Sequence, residues 1–120
     1  MSAEIVSNFE GIVTVKITGK LNYRELATVQ NSITGIIGQY GGIRVLIIIE
    51  NFQGFGEDGN WDDVSFMAAS DPYINKMAIV GEKNWKEMAL MFTAQGLREF
   101  PIEYFLPDEL SKAEAWLDEN

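Results

Sequence analysis

The chain has 120 residues, 47% of them hydrophobic, and 18 acidic against 9 basic side chains give it a net charge of −9. That length suits a single domain, residues 1–120, burying about two-thirds of the surface its unfolded form exposes. With neither cysteine nor histidine, the usual ligands of zinc and copper are missing, as are cysteine nucleophiles, Ser-His-Asp triads and histidine bases.

The negative field repels phosphate backbones and anionic lipid, so no nucleic-acid partner is expected. The first ten residues lack the basic flank and apolar stretch of a signal peptide. No apolar run exceeds five residues, against about 20 for a membrane span. A cytoplasmic protein without a transmembrane segment is expected.

Ile5 and Val6 begin an apolar piece, and Gly11 follows closely enough for a hairpin. Over 12–18, Val13, Val15 and Ile17 alternate with Thr14, Lys16 and Thr18, the period of a strand with one buried face. Asn22, with Glu25 three residues on, reads as an N-cap with a capping box. Leu26, Val29, Ile33, Ile37 and Tyr40 then recur at helical spacing, predicting a helix over 23–39 that Gly41 and Gly42 stop. Gly35 and Gly38 inside it read either as close packing on a sheet or as glycines simply tolerated at about 1 kcal/mol each.

Residues 43–49 are β-branched or leucine apart from Arg44, the pattern of a central strand buried on both faces. A loop over 51–59 leads to a helix over 61–70 with Trp61, Val64, Met67 and Ala68 on one face. A short strand at 77–80 precedes a helix over 83–94, apolar at Trp85, Met88, Ala89 and Phe92. A last strand, 102–105, is followed by a helix over 107–118, apolar at Leu110, Ala113, Trp116 and Leu117.

The order β-β-α-β-α-β-α-β-α predicts an α/β fold, an open mixed sheet of about five strands with four helices. The first strand lies antiparallel at one edge, and right-handed crossovers link the rest in parallel. Sequential strand order puts the first three helices on one face. The far side of 43–49 then needs a cover, either the last helix or a second copy of the chain, and a homodimer is expected on that ground.

"GFGEDGNWDD", residues 54–63, contains G-x-G-x-x-G after an apolar strand. A dinucleotide turn holds its pyrophosphate with helix amides and tolerates no repulsion nearby. Here Glu57, Asp58, Asp62 and Asp63 crowd the turn, and no Lys or Arg occurs from 51 to 70. No nucleotide or other cofactor is expected. Counted from Asp58 as an EF-hand loop, position six is Asp63 and position twelve Ala69, where glycine and glutamate are needed; no metal site is expected. The acids read instead as a helix cap and first turn, from Asp58 or Asn60 through Asp63.

Gly19-Lys20-Leu21 before a capped helix, a strand running into Glu50-Asn51-Phe52-Gln53-Gly54, Trp61 opening the second helix, "MAIVGEKNW" at 77–85 and "AEAWL" at 113–117 together resemble the SpoIIAA-like family. Its fold is shared by STAS and SEC14 (CRAL-TRIO) domains. The resemblance spans nearly the whole chain and implies an open sheet wound as a β-α superhelix. STAS relatives switch by phosphorylation of a serine just after the strand matching 43–49. This sequence differs there: 51–60 contains neither Ser nor Thr, and Ser65 falls a turn inside the predicted helix. SEC14-type relatives carry lipids in an apolar cavity, and this chain lacks their extra gating helices.

Phe52, Phe55, Trp61, Phe66 and Met67 cluster near the second predicted helix, and Trp85, Met88, Met91 and Phe92 near the third. They read either as helix packing or as the walls of a groove at the carboxyl ends of the parallel strands, where open α/β sheets bind ligands. Phe52 and Phe55 sit on a glycine-rich stretch read as loop, where burial is harder to arrange. No nucleophile stands beside a base among Glu57, Asp58, Asp62, Asp63, Ser65, Lys76 and Lys83, so no enzymatic activity is expected. The leading reading is a non-enzymatic protein-interaction or regulatory module that meets its partner through Phe52, Phe55, Glu57, Asp58, Trp61, Phe66 and Trp85. The alternative is a small apolar or lipid-like ligand held between the second and third helices.

Overall fold

The computed structural model describes residues 2–57, 59, 69–94, 96 and 98–119. Among them are five strands, β1 (Ala3–Phe9), β2 (Ile12–Leu21), β3 (Ile43–Phe55), β4 (Ile74–Val80) and β5 (Ile102–Phe105). Three α-helices are described, α1 (Tyr23–Tyr40), α2 (Lys86–Phe92) and α3 (Leu110–Asp118), the last two each preceded by a short 3-10 turn. Of the helix predicted over 61–70, only Ala69 and Ser70 are described, and both are helical.

The strands lie in sequential order, β1-β2-β3-β4-β5, and β1 is antiparallel with the rest parallel, as the alternation of strands and helices implied. Glu10 and Gly11 join β1 to β2, both at positive φ (51° and 81°), the two left-handed positions of a tight hairpin turn. Asn22 caps α1, its side chain accepting from the Glu25 amide at 3.1 Å. The return bond of a capping box is rerouted. Ser2 stands between the partners: the Asn22 amide donates to Ser2 Oγ (2.8 Å), and Ser2 donates from both its amide and its hydroxyl to Glu25 Oε1 (2.9 and 2.6 Å). These bonds hold the Glu25 carboxyl below its ordinary pKa, outweighing its partial desolvation. Gly41 ends the helix in the left-handed conformation, its amide bonded to Ile37 O.

Val29, Ile33 and Ile37 on α1 and Ala89 on α2 pack on one face of the sheet, against Val13, Val15, Val45, Met77, Ile79 and Ile102. Gly35 and Gly38 are not part of that contact. Both are exposed, with nothing within 4 Å of where a Cβ would stand, so the close-packing reading of them is corrected.

The far face of β3–β5 is covered by α3. Its Ala113 and Leu117 bury against Leu46, Ala78 and Val80. Arg44, the odd residue of the apolar run, pairs in register with Lys76, and both point at the end of α3. Lys76 Nζ donates to Trp116 O (2.7 Å) and Glu119 O (2.8 Å), and Arg44 donates to Leu117 O. The Lys76 ammonium also lies 4.9 Å from the Trp116 ring centroid. Cations at the carbonyl end of a helix complement its dipole and satisfy its orphan acceptors. The last helix thus supplies the cover that β3 needs, and burial of the sheet does not require a second copy. Toward β1 and β2 the far face is mixed, with Lys16 and Glu50 paired at 3.2 Å and Phe9, opposite Ile12, left exposed.

Candidate functional site

β3 runs six residues beyond the predicted strand. Its partner shifts from Thr18↔Glu50 to Lys20↔Gly54, so the stretch 51–53 bulges, with Asn51 at φ 49°. The bulge swings Phe52 inward. It is 8% exposed and belongs to the core, which corrects its reading as a loop aromatic hard to bury. Phe55 closes the strand opposite Leu21, half-buried.

The glycines serve this closure. The Gly56 amide donates to Leu21 O at 2.7 Å and so is committed to the strand end. A Cβ on Gly56 would stand 3.0 Å from Leu21 O, and one on Gly59 would stand 2.2 Å from the Tyr23 ring. The chain turns here against β2 and the start of α1, with no side chain to spare, a close approach only glycine allows.

Phe52 meets Trp85 edge to face (4.9 Å between centroids) and Phe55 likewise (5.5 Å), and Phe55 stacks on Phe92 (4.8 Å, 11° between planes). Three of the aromatics singled out from the sequence, Phe52, Phe55 and Trp85, are therefore brought together, and Phe92 joins them from α2. Glu57 is exposed beyond the strand end. Asp58, Trp61 and Phe66 lie outside the described residues, as do the helix-capping positions Asn60, Asp62 and Asp63.

Below this aromatic cluster a cavity of about 160 Å3 opens between α1, α2 and the sheet. Its described walls are aliphatic or aromatic except for Gln30, Thr93 and Arg98. Ile17, Ile47 and Ile49 form the floor, Leu26 and Val29 one side, Met88 and Ala89 the other. The Thr93 hydroxyl donates to Ala89 O at 2.8 Å. Arg98 is tied to Asp71 through Nε and Nη2, at 3.0 and 2.6 Å, and its side chain is 7% exposed. This pair spans 27 residues of sequence and no local pattern announces it. In volume and apolar lining it is comparable to engineered cavities of about 150 Å3 that take up benzene, but it is open on one side, where Phe92 is 38% exposed.

Among the described residues no group of three or more acidic side chains is placed to hold a metal ion. No described helix is long and apolar enough to cross a membrane.

A family model described as SpoIIAA-like matches residues 12–118. Among solved structures, the chain is similar to an uncharacterized protein of the DUF3478 family with a SpoIIAA-like fold from Shewanella loihica PV-4. The two are 19% identical with a TM-score of 0.73, over 96% of this chain and 91% of that one. No curated protein matches the chain.

Proposed function

The chain belongs to the SpoIIAA-like family, and from that premise we propose a non-catalytic binding module that encloses a small apolar molecule between α1, α2 and the sheet. The observation that carries this reading is the cavity, about 160 Å3 of space whose described walls are mainly hydrocarbon side chains, running over the near face of the sheet from Ile74 at the start of β4 to Phe55 at the end of β3. A natural core is packed to crystal density, with few voids larger than a water molecule. The walls also speak against chemistry. Among the described residues they offer a carboxamide, a hydroxyl whose proton is committed to a backbone carbonyl, and a guanidinium closed by a carboxylate. None of these is a poised base or an activated nucleophile.

Native mass spectrometry of gently purified protein tests the reading, together with melting in the presence of uncharged probes from benzene to 1-decanol. A ligand at one hundred times its Kd adds about 2.7 kcal/mol of stability. The absence of both a co-purified mass and a melting shift across that panel would remove the proposal.

The interaction reading keeps one specific support. Met91 is 80% exposed and Phe92 is 38% exposed at the outer side of the aromatic cluster, and surface aromatics and methionine are common in contact surfaces. A pull-down with Phe55→Ala and Met91→Glu checks it; identical partners for folded variants would exclude this rim.

A further inference from the structure

Resting on the cavity as a ligand site, we infer that it selects uncharged apolar molecules, such as alcohols, aldehydes or hydrocarbons, and turns away carboxylates of the same chain length. Among the described wall residues the one ionisable side chain is Arg98. A carboxylate leaving water for an apolar space needs a cation and hydrogen bonds to replace its hydration. Arg98 has little of either to give, since Asp71 already neutralises its charge and three of its five N–H donors are in use. Its Nε and Nη2 hold Asp71 in a forked pair, its Nη1 donates to Thr93 O at 3.2 Å, and its guanidinium lies 4.6 Å from the Phe100 ring centroid. The fork that would grip a ligand carboxylate already grips one of the protein's own. An arriving carboxylate therefore meets Asp71 as well as Arg98, within a chain of net charge −9.

The remaining polar groups of the described wall are neutral. The Gln30 side chain makes no hydrogen bond among the described residues while lining the cavity. A carboxamide offers donor and acceptor together, which suits a hydroxyl or carbonyl head and leaves a bare charge unmatched.

Hexan-1-ol and hexanoate at pH 7, titrated into the wild-type chain by ligand-observed NMR, form the test. The alcohol is expected to bind at least about tenfold more tightly. Asp71→Asn is expected to free the guanidinium and raise hexanoate affinity at least about tenfold, with hexan-1-ol changed little. Equal or preferential binding of hexanoate to the wild type overturns the selectivity and leaves the cavity reading standing. Binding of neither probe overturns both. If Asp71→Asn does not fold, the wild-type pair of titrations still decides. A folded Asp71→Asn with unchanged hexanoate affinity overturns the role given to Asp71.

Discussion

Leu46, Ala78 and Val80 face the C-terminal helix, while Val45, Met77 and Ile79, their neighbours along the same two strands, face the cavity side. On the far side small residues meet: Ala78 and Ala113 are both fully buried, so α3 can lie close to the sheet, and Leu117 has no exposed surface. On the near side, among the described residues, a cavity bordered by Phe52, Phe55, Met88 and Phe92 lies between α1 and α2. Among the described residues, one sheet thus carries a packed face and a more open one. Side-chain volume at a few positions separates the two, since average hydrophobicity is high on both.

Substitutions that change volume on each side break or sharpen this contrast. The largest effect is expected for Leu117→Ala, with a loss of about 2–5 kcal/mol in urea unfolding, because a fully buried leucine leaves a void in a packed layer. A loss below about 1 kcal/mol would mean that α3 is not a structural lid on the sheet. The same chemical change has opposite signs on the two faces. Ala113→Leu overfills the α3 contact and costs about 1–3 kcal/mol. Ala89→Leu, on α2 at the cavity wall, fills empty space, stabilises by about 0.5–2 kcal/mol and abolishes binding of apolar probes. Two losses of similar size would show that the near face is as tightly packed as the far one.

Lys76→Met removes two donors to the last carbonyls of α3 and a cation over Trp116. A loss of about 1–2 kcal/mol is expected, read as a lower urea midpoint with probe binding unchanged.

The smallest effect is in acid. Glu25 opens α1 on the near face, and Glu109 accepts from the Leu106 amide at 2.8 Å at the start of the far-face helix. Both have pKa values below the ordinary 4.5, Glu25 chiefly through its bonds from Ser2 and Glu109 chiefly through that from Leu106. A lowered folded-state pKa gives stability that is present above the unfolded value and lost as pH falls through the folded one. Stability is therefore expected to hold from pH 7 to about 5 and to decline below about 4.5. Glu25→Gln should flatten part of that decline, and an unchanged acid profile would remove Ser2 and Glu25 as its source.

The β1–β2 hairpin, the parallel sheet and the limits of α1 were legible because alternation, helical spacing, Asn22 and Gly41 are local signals, whereas those signals left the sequential strand order a supposition. The cover over β3 was legible as a need, and Arg44 was its unrecognised clue: a lone cation in an apolar strand has to reach a partner, here the end of a helix more than 70 residues on. The extension of β3 to Phe55 was not legible, because Asn51 and Gly54 have the composition of a loop while their positive φ serves a bulge. Gly35 and Gly38 were ambiguous, since glycine in a helix is equally compatible with close packing and with an open surface. The Asp71–Arg98 pair and the Ser2 bridge depend on tertiary proximity and leave no trace in spacing. Of the candidate site, the convergence of Phe52, Phe55 and Trp85 followed from their place at the strand ends. The cavity beneath them did not, because a void is set by the exact sum of many side-chain volumes.

The pairing of Arg44 with Lys76 also couples two steps of assembly. Neither cation has its helix-end partners until β3 and β4 are aligned in register, so docking of α3 and pairing of these strands support each other. Until α3 docks, Leu46, Ala78 and Val80 are bare, and a nascent chain halted before residue 110 presents an adhesive sheet surface to whatever is near. A one-residue slip between the strands would turn one of the two cations toward the oily side, which makes the arrival of the helix a proofreading step for strand alignment.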